Sequence, residues 1–225
     1  MRILFTAAVP EELQQAQKAY MELPAELRAR FDVVFAVTGI GAMNTCYKTT
    51  KLIQPNPENK KFDLVVNVGI AGSYTQKYSL GIVVNVIVEQ FGDIGVETRN
   101  GFQTIFDYDT LNANTYPFID GLLKSRSLSN RVSVTLMDLP KVAGITVQTV
   151  SGRKETNKER FRIFSPEIES MEGAAFFYVC LMEGIPFIEI RAISNYVGER
   201  DKSKWEIPFA LKNLSEVCKD IFTRL

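Results

Sequence analysis

The sequence predicts an α/β fold organised as one domain over residues 1–225. Three observations carry that expectation. Six short, mostly apolar runs rich in β-branched residues recur along the chain, four further segments repeat apolar residues at helical spacing, and no internal repeat, low-complexity tract or linker interrupts them. Runs this short and continuous fit strands of a sheet buried on both faces. Strands alternating with helices make an α/β fold.

Taken in order, residues 3–9 form the first strand, and Pro10 can open a helix over 11–20, because proline suits the first helical position. Residues 33–37 are the second strand. The turn Thr38-Gly39-Ile40-Gly41 leads into a helix over 43–52, and 54–61 is a polar loop too short to divide domains. Residues 64–68 are the third strand, with Gly69-Ile70-Ala71-Gly72-Ser73 read as a strand-to-loop turn. A fourth strand spans 82–88. Residues 92–139 are the least regular and read as an excursion from the sheet that includes interface. The fifth strand covers 142–150. A helix over 172–183, with Ala174, Ala175, Val179 and Met182 at helical spacing, stops at Gly184-Ile185-Pro186. The last strand covers 187–193. An amphipathic helix over 208–222 places Leu211, Leu214, Val217, Cys218 and Ile221 on one side.

Composition removes several function classes. The 26 Lys+Arg balance the 26 Asp+Glu, so no bulk positive field exists to hold nucleic acid or anionic lipid. No uncharged apolar run reaches the roughly 18 residues of a membrane helix, and the N-terminus reads as a buried strand rather than a leader. Cys46, Cys180 and Cys218 each fall in a predicted helix without CxxC spacing, which fits buried thiols in a reducing cytoplasm. Histidine is absent, which removes the Ser-His-Asp and Cys-His arrangements and most zinc sites. Acid–base chemistry must then use carboxylates, Lys, Tyr or Cys.

Four segments lie at predicted strand ends or the helix starts beside them, where open α/β folds place ligands. Glu12 follows Pro10-Glu11; it is a candidate base, and its position also suits the positive end of a helix dipole. The glycines around Ile70, Ala71 and Gly72 let backbone N–H groups approach a ligand, or serve an ordinary turn. No Gly-Lys-Ser/Thr follows them, and the 38–41 glycines make no GxGxxG. Glu172, in Glu169-Ser170-Met171-Glu172-Gly173-Ala174-Ala175, enters a helix of small residues, so it points into a cleft or faces water at the helix start. Arg191, inside a mostly apolar strand, needs a carboxylate partner, Glu12 or Glu172, unless it reaches water. Asn195 closes that strand, as a ligand group or as a cap of its end.

These segments, in this order, resemble the nucleoside phosphorylase and nucleosidase superfamily. The nearest pattern is that of the methylthioadenosine/S-adenosylhomocysteine nucleosidases and futalosine hydrolases, carried by Met171-Glu172-Gly173-x-Ala175 and Arg191-Ala192-Ile193-Ser194-Asn195. The resemblance implies a mixed central β-sheet flanked by helices in three α/β/α layers, no metal or organic cofactor, and a homodimer or higher homo-oligomer. It implies that Glu12 activates the attacking water, Glu172 binds ribose hydroxyls, Met171 packs on the sugar, and Arg191 stands near the water. It also places Ile70-Ala71-Gly72 beside that water and the backbone of Thr149 and Val150 against the purine. Trp205 and Phe209 match a region that lines the 5′ pocket, where Phe102 is a further candidate.

One departure bears on the substrate. Adenine-specific relatives carry Asp where this chain has Asn195. An amide offers both a donor and an acceptor, so it can donate to a 6-oxo group while accepting from a protonated N7. Asn195 and the stretch through Asp201 resemble the futalosine hydrolases. The resemblance implies hydrolysis of futalosine to hypoxanthine and dehypoxanthine futalosine, in menaquinone biosynthesis. Asp201 is a further candidate in proton delivery. A methylthioadenosine/S-adenosylhomocysteine nucleosidase, a purine nucleoside phosphorylase and a nucleoside sensor are the alternatives.

Overall fold

The computed structural model describes residues 1–54, 60–108, 111–126, 128, 136–198 and 201–225. Most of the predicted loop at 54–61, and residues 199–200 of the stretch leading to Asp201, lie outside the described residues. Along the chain run β1 (Arg2–Ala7), α1 (Pro10–Met21), a single turn α2 (Ala25–Arg28), β2 (Asp32–Val37), α3 (Ala42–Ile53), β3 (Leu64–Ser73), β4 (Val83–Glu89), β5 (Gly95–Thr98), β6 (Gly101–Thr104), β7 (Leu123–Lys124), β8 (Lys141–Thr146), α4 (Lys154–Phe164), β9 (Ile168–Ser170), α5 (Gly173–Met182), β10 (Phe187–Tyr196) and α6 (Ile207–Arg224). The six predicted strands and four predicted helices are all present. The sequence did not disclose α2, α4, β9, the β5–β6 hairpin or β7.

The sheet is mixed, as the resemblance implies. β2, β1, β3 and β10 run parallel, β4 is antiparallel to β10, and β8 is parallel to β4. β9 then joins β8 to the far end of β3, so β3, β10, β4, β8 and β9 close a ring from which β1 and β2 extend. One edge of β3 therefore changes partner. It pairs with β1 at residues 64–67 and with β9 at Gly72 and Ser73. Between these pairings the edge of β3 is open, and the ends of β1 and β9 diverge around it. A partner change of this kind is where α/β folds make ligand crevices.

α1 and α6 cover one face of the sheet and α3 and α5 the other. Phe222 of α6 anchors the first core. It is fully buried, with ring centroids 4.9 Å from Phe5, 5.3 Å from Tyr20 and 5.9 Å from Phe31. Phe222→Ala is expected to cost about 3–5 kcal/mol, checked by denaturant unfolding. Cys180 and Cys218 are buried as expected, but Cys46 is only half-buried. It packs at the margin of the second core. No helix of the described residues is long and apolar enough to cross a membrane.

Gly69 to Ser73 continue β3 rather than forming a turn. The glycines serve close approach. A Cβ at Gly69 would lie 2.9 Å from Glu12 Oε1, and one at Gly72 would lie 2.9 Å from Val197 and 3.1 Å from Asn195 Nδ2.

Candidate active site

A cavity of about 310 Å³ opens where β1 and β9 diverge on β3. That volume is at the lower end of the range for small-molecule sites, about 300–1,000 Å³. Glu12, Met171, Glu172 and Asn195 line it, together with Ile70, Ala71 and Gly72 of β3, and Val150 and Trp205. The fold thus brings together residues from separate parts of the sequence.

Glu12 stands in the first turn of α1. Its Oε1 accepts from the Ile70 N–H on the open edge of β3 (2.9 Å), and its Oε2 from the Val9 N–H (3.4 Å). Burial pushes its carboxyl above the usual range. The two backbone donors and the Arg191 charge act against that, and Glu172 adds to it. Such a carboxylate can take a proton from water near neutral pH.

Glu172 precedes α5. Its Oε1 accepts from the Gly41 N–H (3.0 Å) and its Oε2 from the Met171 N–H (3.3 Å). The Gly39-Ile40-Gly41 turn, undistinguished in the sequence, therefore holds this carboxylate. Gly39 and Gly41 sit at φ 92° and 90°, in the left-handed region that glycine tolerates.

Asn195 owes its direction to an irregularity. The β10–β3 register shifts between Ile193 and Asn195, leaving Ser194 unpaired and aiming Asn195 at the cavity. The Ser194 hydroxyl donates to Asn195 Oδ1 (2.9 Å), and Asn195 Nδ2 donates to the Tyr196 carbonyl (3.2 Å). One carboxamide face is thereby fixed with its donor and acceptor in known places.

Other sequence-based candidates fall elsewhere. Arg191 is 1% exposed and does not line the cavity. Its partner is neither Glu12 nor Glu172 but Glu189 (3.0 Å), with Asn67 Oδ1 accepting from its Nη2 (2.6 Å). Residues two apart on a strand share a face, so Glu189 was the nearer partner all along. Thr149 is exposed outside the cavity, where its carbonyl accepts from Arg160 (3.0 Å). Phe102 packs on Phe164 in another cavity, and Phe209 lies 47% exposed over Gly81. Of the three aromatics only Trp205 is at the wall. Asp201 accepts from the Ser203 N–H and hydroxyl (3.1 and 2.6 Å) and pairs with Lys204.

The sequence did not disclose a polar cluster in the wall beside Val150. Glu169 accepts from the Ser151 N–H (2.8 Å) and hydroxyl (2.6 Å), the Tyr74 hydroxyl (2.7 Å) and Arg160 (3.2 Å). Burial, then the Glu169 charge, pushes the Tyr74 hydroxyl up. The cluster clamps the Val150–Ser151 backbone. Its members come from 74, 151, 160 and 169, and no spacing links them.

The sequence model described as the phosphorylase superfamily matches residues 2–225. A futalosine hydrolase of Thermus thermophilus is 31% identical over 191 residues, 83% of this chain and 79% of that protein. A 5′-methylthioadenosine/S-adenosylhomocysteine nucleosidase of Bacillus cereus is 27% identical, over 92% of this chain and 90% of its own length. The solved structure of a futalosine hydrolase from Helicobacter pylori superposes with TM-score 0.80 at 17% identity, covering 100% of this chain and 98% of that one.

Proposed function

The chain belongs to the phosphorylase superfamily, and on that premise we propose that it hydrolyses the N-glycosidic bond of futalosine, releasing hypoxanthine and dehypoxanthine futalosine within menaquinone biosynthesis. The observation that carries the reading is Asn195, a carboxamide set into the cavity wall by a bulge and flanked there by two buried carboxylates, Glu12 and Glu172. The futalosine hydrolase of Thermus thermophilus, at 31% identity, supports it. The protein acts as one domain, in the cytoplasm, as a homo-oligomer.

In this reading the ribose becomes oxocarbenium-like as the purine leaves. Glu172, held by Gly41 and Met171, takes the ribose hydroxyls. Glu12, held by Ile70, removes a proton from the attacking water. N7 takes a proton from solvent as the bond to C1′ breaks, and Asn195 donates from Nδ2 to O6 while accepting from the protonated N7, so the base leaves as neutral hypoxanthine. The clamp of Glu169 on Ser151 fixes the Val150 backbone against the purine. Trp205 covers the 5′ side. Among the described residues that line the cavity none is Lys or Arg, which favours water over phosphate as the nucleophile.

Purine release from futalosine, aminodeoxyfutalosine, inosine and methylthioadenosine, each with and without phosphate, tests the assignment. Hypoxanthine from futalosine, independent of phosphate, is the expected result. Adenine from methylthioadenosine would favour the nucleosidase reading, and a requirement for phosphate would favour a phosphorylase. Gly69→Ala tests the placement of Glu12. The added Cβ would meet the carboxyl at the end of a flexible side chain, so the carboxyl moves off Ile70 while the fold holds. A displacement of order 1 Å in such a group costs about 10²-fold in turnover, expected here in kcat at an unchanged unfolding temperature.

A further inference from the structure

Beneath the cavity lie two carboxyl groups that the proposed mechanism does not use. Glu89 ends β4 and Glu189 lies on β10. Each is 0% exposed, beside Arg191 at 1%. A Cβ on Gly173 would run into Glu89 Oε1 and lie 2.7 Å from Glu189 Oε1, so both oxygens crowd one point under the first residue of α5. Gly144 likewise leaves the room that the Glu89 carboxyl fills. Among the described residues Glu89 Oε1, both Glu189 oxygens and Arg191 Nε have no hydrogen-bond partner, although Arg191 Nη2 stands 3.0 Å from Glu189. Two carboxylates packed together with one guanidinium leave an uncompensated buried charge, which is costly unless a proton removes it.

The other Glu89 oxygen is engaged. Oε2 accepts from the Thr146 hydroxyl (2.8 Å), and that same hydroxyl oxygen accepts from the Ala174 N–H (2.7 Å). Ala174 is in the first turn of α5, two residues after Glu172. A continuous chain of hydrogen bonds therefore runs from Glu89 to the helix start that carries the ribose-binding carboxylate.

We propose that Glu89 is a positioning residue for Glu172, acting through Thr146 on the first turn of α5, and that it shares one proton with Glu189. The proposal deepens the reading of the cavity as a nucleoside hydrolase site and rests on it. The surroundings fit a shared proton. Glu89 faces Glu189 and Arg191 from β10, the Thr146 hydroxyl from β8 and its neighbour's Gln90 N–H. Glu189 is faced by Arg191, by Glu172 at the start of α5 and by Cys180 within it. Burial pushes the Glu89 carboxyl well above the usual range and the Glu189 carboxyl up to about 7. Above about pH 7 the pair holds the one shared proton and, with Arg191, is neutral. When that last proton leaves at higher pH, two like charges face each other under Gly173, and the first turn of α5 is expected to shift, raising KM for the nucleoside.

Two measurements test this. The first is KM and kcat for futalosine against pH. Wild type is expected to show KM rising on the alkaline side, as the last proton of the pair leaves, and both Glu89→Gln and Glu189→Gln to lack that rise, since one carboxylate then remains beside Arg191. Thr146→Val is expected to raise KM about tenfold, the size of one hydrogen bond, with Thr146→Ser restoring it. A purely structural role would instead lower kcat through a smaller active fraction. A wild-type pH profile in both Gln variants, or an unchanged KM in Thr146→Val, overturns the proposal. The second measurement needs no substrate. Infrared spectra at neutral pH should show a protonated-carboxyl C=O band that survives in Glu12→Gln and is lost in Glu89→Gln and Glu189→Gln. A band without futalosine turnover overturns the substrate assignment and keeps the shared proton. Turnover without the band overturns the shared proton.

Discussion

Glu12→Gln is expected to lower kcat for nucleoside hydrolysis by about 10²–10⁴-fold, the usual worth of a positioned general base. The amide retains an oxygen for the Ile70 N–H, which now donates to Glu12 Oε1 at 2.9 Å, so the side chain stays in place and KM changes little. The pH dependence gives the same group a second signature. Burial raises the Glu12 carboxyl from its ordinary 4.5, so the acid limb of kcat/KM in wild type lies above the pH at which an exposed carboxylate would set it. The limb disappears in the variant. Stability moves the other way. A raised acid holds its proton in the folded chain after the unfolded chain has released it, so stability falls as pH rises from about 4.5 through the raised value. Gln has no such loss, and the variant is expected to unfold at an equal or higher temperature than wild type above that window. Undiminished kcat in Glu12→Gln would remove the carboxylate from the water-activating role.

The parts of this site that were legible in the sequence are those that local patterns report. Apolar β-branched runs disclosed the six main strands because the sheet is covered on both faces, Pro10 and the Thr38–Gly41 turn marked the starts of α1 and α3, and amphipathic spacing disclosed α6. α4 escaped because its sequence, KETNKERFRIF, has no buried residue and hence no apolar stripe. β9 is three residues long, shorter than any periodicity can reveal, yet it closes the ring and fixes Glu169 and Ser170. Gly69 and Gly72 look like turn residues in the sequence. In the structure they are strand residues whose missing side chains admit Glu12 and Asn195. The Gly41 bond to Glu172 spans 131 positions, and the Glu169 cluster joins residues up to 95 apart. Contacts of that kind are set by the closure of the sheet and leave no trace in local composition.

Asn195→Asp is expected to reverse the preference for the base rather than abolish catalysis. The substitution preserves shape and leaves Glu12 and Glu172 untouched. The new carboxylate would present an acceptor to O6 in place of the donor that the proposed mechanism takes from Asn195 Nδ2, and the Ser194 hydroxyl, 2.9 Å from Oδ1, would still orient the group. Mismatching one buried hydrogen bond costs about 1–3 kcal/mol, or roughly 5- to 150-fold in kcat/KM. Futalosine should lose by that factor, while aminodeoxyfutalosine, whose 6-amino group donates, should gain relative to it. The ratio of the two substrates is the quantity to measure, because a damaged site lowers both together. A ratio that stays constant would mean that the base is read elsewhere in the wall, and the Val150–Ser151 backbone clamped by Glu169 is the nearest other polar surface. A ratio that crosses unity would locate the choice between 6-oxo and 6-amino purines in one carboxamide, held at the cavity by a one-residue bulge.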